Sequence, residues 1–322
     1  MSGRLNGVQA IVQREHPAAL YVHCASHSLN LALCYSCSVP EIRNAFGVLR
    51  EVCSFFRKSA LRSALLKRQI SDKCPEATKR RLQPLCETRW VERHEAVQTF
   101  VELFEAIVPA LESIQDEGGH EASARAHQLL TCILTPNLIL SISVAAEVLS
   151  LTLPLSRQLQ ASSLDLLSAL NHVDAVEAAA LELRESGFPK IFGTGVKLAQ
   201  AEDVQIVMPR VTSRQRHRCN VPAGSTEEYY RLSLFLPFMD SLLSQLTDRF
   251  KQHRHTLQLL SSPLPQNILD VAPDAEEFSD IYSGLVSIPE LRGELAVWAA
   301  KWKHEKNVIC PMSALQAVAL CP

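Results

Sequence analysis

From Pro40 onward the apolar residues fall at three- and four-residue steps, and that rhythm commits most of the chain to amphipathic helices. Ile42, Phe46, Leu49, Cys53 and Phe56 trace one face, and Leu61, Leu65 and Leu66 continue it beyond Lys58. Residues 71–84 carry Asp72, Lys73, Pro75, Lys79, Arg80, Arg81 and Pro84 and read as a polar, charged turn. Val97, Val101, Phe104, Val108 and Leu111 then predict one long helix from Val91 to Ile114, stopped by Asp116-Glu117-Gly118-Gly119. Three helices follow, His120–Cys132, Leu138–Leu153 and Leu155–Glu185, divided by Pro136 and Pro154 and ended at Gly187-Phe188-Pro189. Gly193–Pro209 reads as a less regular connector. Tyr229–Leu260 is another helix, broken near Pro237, with Asp240, Leu243, Leu246 and Phe250 on a repeating face. Pro263, Pro265 and Pro273 mark an extended linker before a short helical tail, Ile288–Lys306.

The first forty residues differ. Val8 to Gln13 reads as a short helix that Pro17 breaks, and Ala19–Val22 is the one convincing strand-like piece. It stops at Cys24-x-x-His27 and gives way to a helix with Leu29 and Leu33 on one face. A lone strand leaves its backbone groups unpaired, so this piece implies further strands upstream.

Composition narrows the class. At 322 residues, 47% hydrophobic and 20% charged, the chain can bury a substantial core. A net charge of −2 exerts no global pull on nucleic acid or an anionic membrane, so such binding must come from local clusters. The ten cysteines are scattered, too sparse for a secreted disulfide scaffold, and point to free thiols in a reducing compartment. No secretory leader pattern follows Met1. The apolar run Ile133–Leu155 is interrupted by Pro136, Asn137 and Glu147, which suits a buried helix better than a membrane span.

Three constellations carry chemistry. Cys24-x-x-His27 with Cys34-x-x-Cys37 has soft-ligand character, yet the intervening helical pattern would put about 15 Å of rise between the pairs. Structural thiols and a hydrogen-bonded histidine are therefore favoured, and no metal is expected. Thr88-Arg89-Trp90-Val91-Glu92-Arg93 offers a helix cap, two arginines one turn apart, and a Trp. That Trp is either a stacking platform for an unstacked base or a core residue. The densest basic stretch, Arg210 to Arg218, holds Arg214, Arg216 and Arg218 and suits phosphates or is simply solvated. No phosphate loop, dinucleotide fingerprint, nucleophile elbow or His-Glu-x-x-His is present.

Cys24, His27 and the Thr88-Arg89-Trp90 triplet, with Glu228-Tyr229-Tyr230-Arg231-Leu232-Ser233 and Phe235-Leu236-Pro237-Phe238-Met239-Asp240, resemble hAT-superfamily transposases. The resemblance runs in order over most of residues 1–260 and favours the animal transposase-derived proteins of the kinase-inhibitor-repressor type. It implies an RNase H-like core interrupted by a large helical insertion domain. The expected layout is thus mainly α: a partial RNase H-like strand–helix stub over 1–40, a helical insertion-type domain over 41–262, and a Pro-rich linker with a helical tail over 263–322.

The resemblance also bears on chemistry. The family's catalytic core places carboxylates around two metal ions. Its first acids precede the segment matching Met1-Ser2-Gly3, and its last lies on a C-terminal helix with no counterpart before Pro322. The expectation is a chain without transposase activity, with no catalytic residues and no cofactor. It would bind nucleic acid or chromatin in a regulatory role, nuclear or nucleo-cytoplasmic, through Arg89, Trp90 and Arg93 and through Arg214, Arg216 and Arg218. A protein-interaction scaffold without DNA contact, or a fragment of an intact transposase, are the alternatives. DNA and protein partners are both open, a membrane is not expected, and oligomeric state is undetermined.

Overall fold

The computed structural model describes residues 7–16, 19, 21, 23–86, 90–160, 166–209, 221–250, 254–269, 273–281 and 287–304, with isolated positions near the C-terminus. Its regular structure is helical. In chain order the helices are α1 (Val8–Glu15), α2 (Ala25–Ser36), α3 (Pro40–Arg57), α4 (Ala60–Lys73), α5 (Trp90–Glu102), α6 (Phe104–Glu117), α7 (His120–Ile133) and α8 (Pro136–Gln158). Then come α9 (Leu166–Glu182), α10 (Phe188–Gln200), α11 (Thr226–Tyr230), α12 (Leu236–Phe250), α13 (Arg254–Ser261), α14 (Pro265–Ile268), α15 (Ala275–Ile281) and α16 (Ile288–His304). No β-strand occurs among the described residues. The strand expected over Ala19–Val22 is absent at Ala19 and Tyr21, and Leu20 and Val22 lie outside the described residues. An extended segment with no partner strand makes no ladder, which is why periodicity alone overstated it.

The chain forms two compact units, each non-contiguous in sequence. One gathers Met1–Ser28, Ala161–His172 and Phe250–Pro322; the other holds Leu29–Gln160 and Val173–Arg249.

In the larger unit α8 is the core. Ile139, Leu140, Ile142, Val144, Ala145, Val148 and Leu149 are all 0% exposed, and α3, α5, α7 and α10 pack around the helix. It is long and apolar enough to cross a membrane, but most of its side chains are covered by these neighbours. Thr135 caps its start, accepting from the Leu138 N–H at 3.3 Å, and Pro136 occupies the first turn, where no N–H is missed. Pro154 does not end the helix as expected. A proline inside a helix costs about 3 kcal/mol, and each fully buried Leu, Ile or Val returns about 1.5–3 kcal/mol. Burial wins.

Packing also breaks helices that the periodicity joined. The helix expected from Val91 to Ile114 bends at Leu103 (φ −99°, ψ 7°). That bend lets α5 lie on α8 while α6 lies on α4 and α7. The stripe running past Lys58 likewise splits, with Ser59 as the N-cap of α4 and the Ser63 hydroxyl donating to the Phe56 carbonyl at 2.8 Å.

The expected stops at Gly187-Phe188-Pro189 and near Pro237 are wide π turns instead, Leu183–Gly187 and Arg231–Phe235. Each lies just ahead of a proline, Pro189 or Pro237, whose ring cannot fit a regular i to i−4 ladder. The backbone therefore stays helical to Gln200, well into the stretch expected to be an irregular connector. There Asp203, at φ 54°, takes the left-handed cap position and the Val204 N–H reaches back to the Ala199 carbonyl at 2.8 Å.

In the smaller unit the proline-rich stretch is not extended where it is described. Pro265 opens α14, and the Trp298 indole of α16 donates to the Pro263 carbonyl at 2.9 Å. Trp298 and Trp302 meet edge to face at 5.4 Å, and Arg292 pairs with Glu276 at 2.6 Å, tying α16 to α15.

Candidate nucleic-acid interface

Cys24 and His27 stand at the entrance to α2, both exposed, and the neighbouring His23 ring meets Tyr21 at 4.8 Å. Further along, Cys37 is 6% exposed, and burial pushes its thiol up to about 12 against the opposing pull of the Arg93 guanidinium. A thiol held protonated is a poor ligand and a poor nucleophile. Among the described residues no group of three or more His, Cys, Asp and Glu is placed to hold a metal ion.

Of the Thr88–Arg93 motif, Thr88 and Arg89 lie outside the described residues, and Trp90 begins α5. Arg214, Arg216 and Arg218 also lie outside them. Arg93 is described, and it points inward. Only 9% of it is exposed, its Nε donates to the Cys86 carbonyl at 3.1 Å, and its guanidinium lies 5.8 Å from the Phe46 ring centroid. The edge of two arginines expected from their one-turn spacing is thus not open at Arg93. Its charge is spent tying α5 to α3 and to the end of the preceding loop.

One turn from Trp90, His94 sits in a polar seam between α5 and α8. The Ser150 hydroxyl donates to the Ala146 carbonyl at 2.8 Å, and Gln98 Nε2 reaches that carbonyl at 2.9 Å and the hydroxyl at 2.8 Å. With its proton committed, Ser150 can only accept from His94 Nε2, 3.2 Å away. That leaves His94 Nδ1 bare, buried and without a hydrogen-bond partner. Charging the ring would place an unpaired N–H there, and burial, with Arg157 nearby, holds its pKa below 6.5 despite Glu95.

The sign follows from linkage. Below pH 6.5 the unfolded chain takes a proton that the folded chain resists, so stability present above that pH is lost as pH falls through the folded value. Glu202 acts oppositely. Partial burial, with Glu105 and Glu112 nearby, pushes its carboxyl up to about 7, so the folded chain gains stability as pH falls from there toward 4.5. Comparing the parent with His94→Gln cancels the Glu202 contribution. Melting temperatures from pH 7 down to about 5.5 should fall more steeply for the parent than for the variant. Parallel profiles would contradict this account of the seam.

The loop from Cys74 to Cys86 covers most of the polar, charged turn expected over residues 71–84. It is tied to α5 at two points and closed on itself at a third. The Thr78 N–H donates to Glu102 at 2.7 Å, Arg80 donates to the Pro75 carbonyl at 2.9 Å, and Arg93 holds Cys86. Lys79, Arg80 and Arg81 all remain exposed on it. The signal was present as three consecutive basic residues, but nothing local distinguishes a held basic loop from a solvated one.

No family model matches this chain, and no solved structure matches it. Similarity to curated proteins is extensive. The chain is 29% identical over 333 residues to the human "52 kDa repressor of the inhibitor of the protein kinase" and 28% identical over 333 residues to its mouse counterpart. Each alignment takes in 99% of this chain and 44% of the relative, so the chain spans under half the length of these proteins. Its similarity to a protein named as a repressor therefore extends along essentially the whole described fold.

Proposed function

We propose that this chain is a non-catalytic, hAT transposase-like protein that binds nucleic acid or chromatin in a regulatory role, in the nucleus or shuttling to it. The observation that carries the reading is its similarity along 99% of its length to a protein named as a repressor. The layout supports it as well. A helical unit is interposed in sequence between segments that gather into the other unit, Met1–Ser28, Ala161–His172 and Phe250–Pro322. A helical insertion is what the hAT resemblance implies; the described part of the unit that gathers these segments is itself helical and carries no strand of an RNase H-like core.

A protein-interaction scaffold is favoured by a separate observation. On α1, Val8, Ile11 and Val12 share one face and are 56%, 47% and 41% exposed, an apolar stripe suited to a protein partner. One experiment separates the readings. Incubated with supercoiled plasmid and Mg²⁺, the chain should retard the plasmid without nicking it. Nicking would overturn the non-catalytic assignment, and an unretarded plasmid would leave the scaffold.

A further inference from the structure

A charged feature of the larger unit with no role assigned above is an open groove of about 650 Å³ where the end of α3, the body of α4 and the Cys74–Cys86 loop meet. Arg57, Lys67, Lys79, Arg80 and Arg81 line it, with no carboxylate in the lining. All five are exposed, and among the described residues none is within ion-pair distance of an Asp or Glu. Ser63, Thr78 and Gln83 complete the wall. Five like charges brought together repel one another; the Glu102 carboxylate on Thr78 offsets part of that repulsion, and a bound anion would relieve the rest. Bonds from Thr78 to Glu102 and from Arg93 to Cys86 tie the loop to α5, and the Arg80–Pro75 bond closes it on itself, so Lys79, Arg80 and Arg81 are carried on a held segment.

We infer that this groove binds the phosphodiester backbone of duplex DNA, without reading its bases. The inference rests on the nucleic-acid reading above and gives it a site distinct from the Thr88–Arg93 motif. A chain of successive phosphates can meet several lysine and arginine heads in one groove, whereas a single small anion would leave most of the five unpaired. No aromatic side chain lines the groove, so it has no platform on which an unstacked base could lie. Contacts of this kind set position and affinity and carry no sequence information. Arg93 is then a positioning residue. By holding Cys86 it fixes the loop that carries Lys79 and Arg81.

The test compares three full-length proteins by fluorescence anisotropy on a random-sequence DNA duplex and on one of its single strands, across a salt series. They are the parent, Lys79→Gln/Arg81→Gln, and the equal-charge control Lys190→Gln/Lys197→Gln on α10. Arg80 is left alone because it braces the loop. The groove variant should bind duplex on the order of tenfold more weakly near 0.1 M salt, and its log–log salt slope should shrink by about 1.8, two phosphate contacts' worth. The control should match the parent. Thermal melts accompany each titration, and if the loop variant melts early, Arg57→Gln/Lys67→Gln on the two helices must give the same binding loss. A parent that binds while groove and control variants are indistinguishable overturns the groove and leaves the broader reading standing. Tighter binding to the single strand, with the slope change confined to it, overturns the duplex assignment. No binding by the parent overturns both.

Discussion

Replacing Phe188 or Phe235 with alanine should each destabilise the larger unit by about 3–5 kcal/mol. The two rings are 1% and 0% exposed and lie 5.1 Å apart at a 35° tilt, Phe188 immediately after the first π turn and Phe235 the last residue of the second. A π turn gives up regular hydrogen bonding, so the helices it interrupts depend on tertiary contact to stay aligned. These rings supply it. Because each ring is the other's neighbour, the double variant should cost less than the sum, by about 0.5–1.5 kcal/mol. The nearby ion pair between Arg184 and Asp240, at 2.6 Å, offers a contrast. Its side chains are 28% and 55% exposed, and pairs of that kind contribute about 0–1 kcal/mol. Chemical denaturation of Phe188→Ala, Phe235→Ala and Asp240→Ala orders the effects. An Asp240→Ala loss as large as either Phe loss would show that the ion pair, not the ring contact, joins the two turns.

Gly195→Val should cost about 3 kcal/mol, at the upper end of what overpacking a core exacts. A Cβ at Gly195 would sit 2.6 Å from Leu140 Cδ2 and 3.3 Å from Ser143 Oγ, so α10 crosses α8 where there is no room for a side chain. Leu140 is fully buried and α8 is packed on its other sides by α3 and α5, which leaves the leucine little freedom to retreat. Gly195→Ala should be milder, since a helix gains about 1 kcal/mol on exchanging glycine for alanine. In the background of Leu140→Ala the clash disappears, and Gly195→Ala should become neutral or stabilising. A Gly195→Ala cost unchanged in that background would mean that the close approach is not what the glycine serves.

Much of this architecture was legible in the chain. The stripe Ile42, Phe46, Leu49, Cys53 and Phe56 is the buried face of α3, because a helix's period is written directly into its apolar spacing. The prolines were misread for a physical reason. Pro154, Pro189 and Pro237 disrupt local hydrogen bonding, but the burial that overrides them comes from helices distant in sequence. The bend at Leu103 was hidden for the same reason, since it exists to let α5 and α6 face different partners. At the candidate site, the spacing of Arg89 and Arg93 suggested a shared exposed edge, yet Arg93 is drawn inward by Phe46, Cys37 and the Cys86 carbonyl, none of them adjacent to it in sequence. Conversely, Lys79, Arg80 and Arg81 look like ordinary solvated charge until α3 and α4 bring Arg57 and Lys67 beside them.

If this chain grips nucleic acid as proposed, it does so through phosphate contacts. Equilibrium binding of the purified 322-residue protein to duplex DNA over a range of salt concentrations tests it most directly. Five groove cations meeting five phosphates predict a log–log slope near −4.5, and even partial engagement should exceed about −2 in magnitude. Binding that does not change with salt, or no binding at the lowest salt, would contradict the claim.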